Sequence, residues 1–169
     1  TGLPPVSAVV MEYPQDEAAR NLDDEYFFGK DLLVCPLTLE DGTSREVYLP
    51  EGNWYNFFTG EKIEGGRRLV LEADWNEMLV FARDGALVPV AEPVICVTED
   101  TVFNITVKSF GTNKTGSCVL YEDDFVSFNY ESLVAKKQIN VTVGDNGKFI
   151  VSGAKTSTKY HFLNCIVKD

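Results

Sequence analysis

Histidine occurs once in the 169-residue sequence, as His161, and that scarcity narrows the chemistry at once. Nucleophilic catalysis through a serine or cysteine needs a base held beside the nucleophile. His161 sits in the alternating stretch Lys159-Tyr-His-Phe-Leu163, where a solvent-facing or hydrogen-bonded structural role fits better than a catalytic one. No GxSxG, no phosphate-binding glycine loop and no dinucleotide fingerprint occurs. No CxxC pair occurs either, so a cysteine-rich metal site is not expected. Cys35, Cys96, Cys118 and Cys165 are widely spaced amid apolar neighbours, the setting of free buried thiols. Long apolar runs are missing as well. The longest, Gly85 to Ala91, falls far short of a membrane span, so no membrane partner is expected.

Positive charge is scarce. Fifteen Lys and Arg face 26 Asp and Glu, for a net charge of -11. Such a chain repels the phosphate backbone and excludes nucleic acid as a partner. A neutral ligand such as a sugar is compatible with that charge, and no cofactor is called for. What the sequence does have is apolar residues, 44% of the total, enough for a real core. The start at Thr1, without a signal-peptide pattern, reads as that of a processed chain or an excised piece.

The helical signal is confined to Asp16-Glu-Ala-Ala-Arg-Asn-Leu22, about two turns with Asp16 as N-cap. After Asp31 the pattern is strand and turn. Arg45–Leu49, Leu69–Leu71, Met78–Phe81 and Ala86–Val90 are short strands, with turns at Asp41-Gly42, Gly65-Gly66 and Asp84-Gly85. A second set comprises Thr101–Phe110, Ser117–Tyr121, Ser132–Val143, Lys148–Ser152 and Lys159–Val167. In the first of these Phe103, Ile105 and Val107 alternate with polar residues, the period of a half-buried strand. Many short strands with turn signals between them argue for antiparallel sandwiches. The Ala91-Glu-Pro-Val94 stretch marks the boundary between two small domains.

Carboxylates are plentiful, and glycoside hydrolysis needs two of them across one bond. Asp23-Asp24-Glu25, Asp74, Glu77, Asp84 and Glu122-Asp123-Asp124 are the candidates, and adjacent acids of this kind most often cap turns. The aromatics are a better clue. Trp54, Tyr55 and Trp75 are the candidate sugar-contacting residues, as a solvent-facing platform. The competing reading is that Trp54, Phe57 and Phe58 fill the core of a small sandwich, and we favour it.

Several strings resemble glycoside hydrolase family 31, the family of α-glucosidases, α-xylosidases and related enzymes. They are Asp23-Asp-Glu-Tyr-Phe-Phe-Gly29, Leu32-Leu-Val-Cys-Pro36, Val47-Tyr-Leu-Pro-Glu-Gly-Asn-Trp-Tyr55, Thr59-Gly60 and Val80-Phe-Ala-Arg-Asp-Gly85. Leu120-Tyr-Glu-Asp-Asp124 resembles the acidic motif of the family's distal sandwich. The resemblance implies an all-β chain of two small antiparallel β-sandwich domains preceded by a remnant of a (β/α)8 barrel. Residues 1–37 would be the barrel end, 38–91 the proximal sandwich and 92–169 the distal one. It also implies that Val6–Met11 and Leu32–Val34 are barrel strands, left with exposed edges where their neighbours are missing. The family's two catalytic aspartates lie in upstream barrel strands, and nothing here matches either motif. A barrel alone takes about 250 residues. The resemblance therefore implies no catalytic residue in this chain. Its partner would be the catalytic barrel of a retaining α-glycosidase acting on an α-linked oligosaccharide.

Overall fold

Short apolar stretches punctuated by glycine and proline become strands in the computed structural model. It describes residues 3–38, 43–74, 76–98, 100–111, 115–121, 128, 136–143, 149–152 and 159–168. The first strands are β1 (Val6–Ala8), β2 (Tyr26–Phe28), β3 (Leu32–Cys35), β4 (Ser44–Leu49), β5 (Asn53–Asn56), β6 (Lys62–Glu64), β7 (Arg67–Glu72) and β8 (Leu79–Arg83). The later ones are β9 (Leu87–Ala91), β10 (Phe103–Phe110), β11 (Thr115–Tyr121), β12 (Lys136–Val143), β13 (Phe149–Ser152) and β14 (Tyr160–Lys168). The chain divides into two units, residues 1–84 with 168–169, and residues 85–167.

The first unit is a sandwich of a six-stranded sheet, in the order β1-β2-β3-β8-β5-β6, with the two-stranded sheet β4-β7. Every pairing in both sheets is antiparallel. Alternation sets the faces. Phe27, Leu33 and Phe81 lie opposite one another across β2, β3 and β8, and all three are fully buried. They meet Val47, Leu49, Leu69 and Leu71 from the smaller sheet, together with Trp54, in one core. Trp54 is 1% exposed; its indole N–H donates to Pro50 O at 2.8 Å and its ring tilts against Phe27.

The barrel-end strands behave differently from what the resemblance implies. β3 has β2 on one side and β8 on the other, so Leu32–Val34 has no free edge. Its run of apolar residues suits a strand buried on both faces, which the antiparallel sheet supplies as well as a parallel one would. Only β1 lies at an edge of this group. The expected helix also shrinks. Asp16 accepts the Ala18 amide at 3.0 Å, but only a 3-10 turn, Ala18–Asn21, follows. A one-turn helix α1 (Val9–Glu12) precedes it and buries Val9.

In the second unit β14, β10 and β9 form one three-stranded sheet, and β11, β12 and β13 another. Thr106 pairs with Val90 and Val107 with Pro89 across β10 and β9. Ile105 and Val107 centre a core that includes Leu87, Phe103, Tyr160 and Phe162. The expected thiol burial holds for Cys35, whereas Cys165 is half-buried and Cys96 is exposed; the side chain of Cys118 lies outside those described. The acidic motif Glu122-Asp123-Asp124 and the Asp41-Gly42 turn lie outside the described residues.

Candidate functional site

Among the described residues of the first unit one cluster of charged groups reaches into the interior, and it assembles on an arginine that stands in phase with apolar neighbours. Along β4, Arg45, Val47 and Leu49 point inward, so a guanidinium enters the sandwich where alternation would place another aliphatic residue. Arg45 Nη2 meets Asp24 Oδ2 at 2.7 Å and lies 3.6 Å from Glu25 Oε1. Its other nitrogens donate to the backbone carbonyls of Asp24, Pro36 and Glu46. The side chain thus ties the entry to β2, the exit from β3 and β4 to one point. Glu25 is 4% exposed, and its Oε1 accepts the Tyr48 amide at 2.7 Å. Its Oε2 has no hydrogen-bond partner among the described residues.

The cost of that burial is visible in the ionisation of the groups. Burial pushes the Glu25 carboxyl up to about 7, with the Tyr48 amide and the Arg45 guanidinium pulling the other way. Burial, with Glu25 beside it, also pushes the Cys35 thiol well up, which makes it inert as a nucleophile. Both carboxylates are engaged by Arg45, Glu25 buried and Asp24 with its side chain 41% exposed. The arrangement fastens strands together; it does not present two acids to a substrate.

The other sequence candidates are scattered. Asp23, Asp84 and His161 are exposed. Asp74 and Glu77 are exposed and close a turn on each other, the Glu77 amide donating to Asp74 O at 2.8 Å. Trp54 and Tyr55 are each 1% exposed, so neither offers a ring face to solvent, whereas Phe58, expected in the core, is 56% exposed and Phe57 half-buried. Trp75 lies outside the described residues. Among the described residues no group of three potential metal ligands occurs.

A recess among the described residues was not foreseen. A cleft of about 920 Å³ is lined by Glu12, Tyr13, Asp16, Tyr48, Glu51 and Glu64, among others. Tyr48 Oη donates to Asp16 Oδ2 at 2.6 Å, and burial followed by that carboxylate pushes its phenol up to about 12. Arg83 lies over the rings of Tyr13 and Phe27 at 5.1 and 4.6 Å and reaches Glu12 Oε2 at 3.3 Å. No local motif marks the cleft, because its lining comes from α1, the segment after it, β4 and the turns around Gly52 and Gly65. Arg45 did carry a signal: a charged residue at an inward position of an alternating strand demands a buried counter-ion.

Residues 2–88 match the model of the glycosyl hydrolase family 31 C-terminal domain. Alpha-glucosidase 2 of Bacillus thermoamyloliquefaciens is 34% identical over 154 residues, which cover 90% of this chain and 19% of that protein. The alpha-xylosidase of Saccharolobus solfataricus is 34% identical over 124 residues, 73% of this chain and 17% of the relative. Among solved structures, a dextranase of the same family from Flavobacterium johnsoniae, complexed with glucose, superposes with a TM-score of 0.76. It is 32% identical over 89% of this chain and 19% of its own. The chain therefore spans about a fifth of the length of the relatives it matches. With its antiparallel sandwich in place and its residues 2–88 in register with that domain, the chain belongs to glycosyl hydrolase family 31, as a C-terminal domain of its glycosidases.

Proposed function

We propose that this chain is the non-catalytic supporting part of a retaining α-glycosidase of the α-glucosidase or α-xylosidase type. Its partner is the catalytic (β/α)8 barrel, and the substrate of the whole enzyme is an α-linked oligosaccharide. The observation that carries this reading is that the candidate groups are either buried in the core or scattered singly over the surface, with Asp23, Asp74, Glu77 and Asp84 among the exposed ones. Trp54 and Tyr55 are 1% exposed, and Glu25, with Asp24, is engaged by Arg45. A retaining mechanism needs two carboxylates about 5–5.5 Å apart on opposite sides of an accessible bond. A braced sandwich instead supplies a rigid seat against which catalytic loops hold their positions. The net charge of -11 speaks against a nucleic-acid partner. Among the described residues no helix is long and apolar enough to cross a membrane.

The alternative, a carbohydrate-binding module, would have to use the cleft beside Tyr13 and Tyr48 rather than Trp54. Calorimetric titration of the chain with maltose and with a xyloglucan oligosaccharide separates the two. The supporting role predicts no saturable binding. Saturable binding that Tyr13→Ala removes, with the fold intact, would promote the binding module.

A further inference from the structure

Two carboxylates share one guanidinium nitrogen in the brace, and only one of them can turn to water. Arg45 Nη2 stands 2.7 Å from Asp24 Oδ2 and 3.6 Å from Glu25 Oε1. The Asp24 side chain is 41% exposed, whereas that of Glu25 is 1% exposed. Glu25 Oε1 accepts the Tyr48 amide, and among the described residues its Oε2 has no partner. Two further titratable or charged groups act on Glu25, the Cys35 thiol on β3 and Arg68 on β7. Burial keeps the thiol neutral, and Arg68 is engaged by Glu46 at 2.9 Å. One cation therefore stands against two acids. Unless Glu25 holds a proton, a negative charge is left poorly compensated where water does not reach.

We propose that Asp24, Arg45 and Glu25 form a proton-operated exchange of ion-pair partners. With Glu25 protonated the guanidinium holds Asp24; when Glu25 gives its proton to solvent, the guanidinium turns to Glu25 and Asp24 goes over to water. The observed distances are those of the protonated arrangement. Arg45 has a pivot for the turn, because its other nitrogens rest on the backbone carbonyls of Asp24, Pro36 and Glu46. Nη2 needs to come only about 0.8 Å closer to Oε1 to reach the distance of a charge-assisted hydrogen bond. Hydration sets the direction. A half-exposed carboxylate exchanges an ion-pair partner for water at little cost, and a buried one has no water to take. Burial pushes the Glu25 carboxyl up to about 7, which brings the exchange to near-neutral pH. The brace thus stays fastened in both states, and what changes with pH is the charge displayed at the entry to β2.

The test is a carbon-13 NMR titration of the whole chain from about pH 5 to about pH 9, read at the side-chain carboxyl carbons. In wild type the Glu25 and Asp24 carboxyl signals should move together, with one midpoint. Glu25→Gln should remove that step from Asp24. Asp24→Asn frees the guanidinium for Glu25 and should lower the Glu25 midpoint by about one pH unit or more. Asp23→Asn is the control, since it removes an exposed charge one residue away and should move the midpoint less. Circular dichroism of each variant verifies the fold, and the wild-type titration decides alone if Asp24→Asn does not fold. An Asp24 signal that stays flat through the Glu25 step would overturn the proposal. So would equal Glu25 midpoints in wild type, Asp23→Asn and Asp24→Asn, or the lack of any Glu25 step in that range.

Discussion

At the scale of residues, Trp54 and Glu25 show how this domain spends its most versatile side chains on structure. Trp54 fills the core against Phe27 and satisfies its one donor on Pro50 O. Trp54→Ala should destabilise the chain by about 3–5 kcal/mol, the usual cost of removing a large buried aromatic. A urea denaturation midpoint within experimental scatter of wild type would place the ring outside the core. Glu25 makes the opposite contribution. Its folded pKa of about 7 lies above the ordinary 4.5, so between those values the native state binds more protons than the unfolded one. Its ionisation therefore costs stability as pH rises through that window, and the full cost applies above it. Glu25→Gln keeps the shape and an acceptor for the Tyr48 amide. Its stability relative to wild type should rise between about pH 5 and about pH 8, read from denaturation midpoints. A difference that is flat or falls over that range would show the carboxylate to be well paired in the fold.

At the scale of elements, the turn between β6 and β7 fixes how closely the tryptophan can dock. Gly66 has a φ of 75°, in the left-handed region where a side chain is strained. A Cβ on Gly65 would collide with Pro50 O and come within 2.8 Å of Trp54 Nε1, the two ends of the tryptophan's hydrogen bond. Gly65→Ala should thus cost about 1–3 kcal/mol, the range for overpacking a filled site. Differential scanning calorimetry would reveal it as a lowered Tm, and an unchanged Tm would mean that the turn yields. This turn was legible in the sequence as Gly65-Gly66; alternation located β4, β10 and β14, and short apolar stretches between turn signals located β7, β8 and β9. β6 was not legible, since Lys62-Ile-Glu64 offers a single apolar residue and no period. β5 was hidden because Asn53-Trp-Tyr-Asn56 buries both aromatics on opposite faces of a two-faced sheet. The partners of β3 were not legible either. Four consecutive apolar residues suit a strand covered on both faces, whichever direction its neighbours run.

At the scale of the whole molecule, the family was legible from its strings of residues, whereas the wiring inside it was not. Arg45 shows why. The carboxylates it gathers stand some twenty residues upstream in the sequence, and only the sandwich brings Asp24 to 2.7 Å from it. The cleft beside Tyr13 and Tyr48 is likewise assembled from distant segments. A chain with 26 acids thus reads as rich in candidate glycosidase carboxylates, while Glu25, the one buried acid among the described residues, serves with Asp24 and Arg45 as a brace. In the proposed role this domain supports catalysis without performing it, and hydrolysis by the purified chain tests that most directly. Incubated with aryl α-glucosides and aryl α-xylosides, the chain should release no phenol above the buffer rate. Turnover that survives repeated purification and disappears on mutating an exposed acid such as Asp23 or Asp74 would contradict the account.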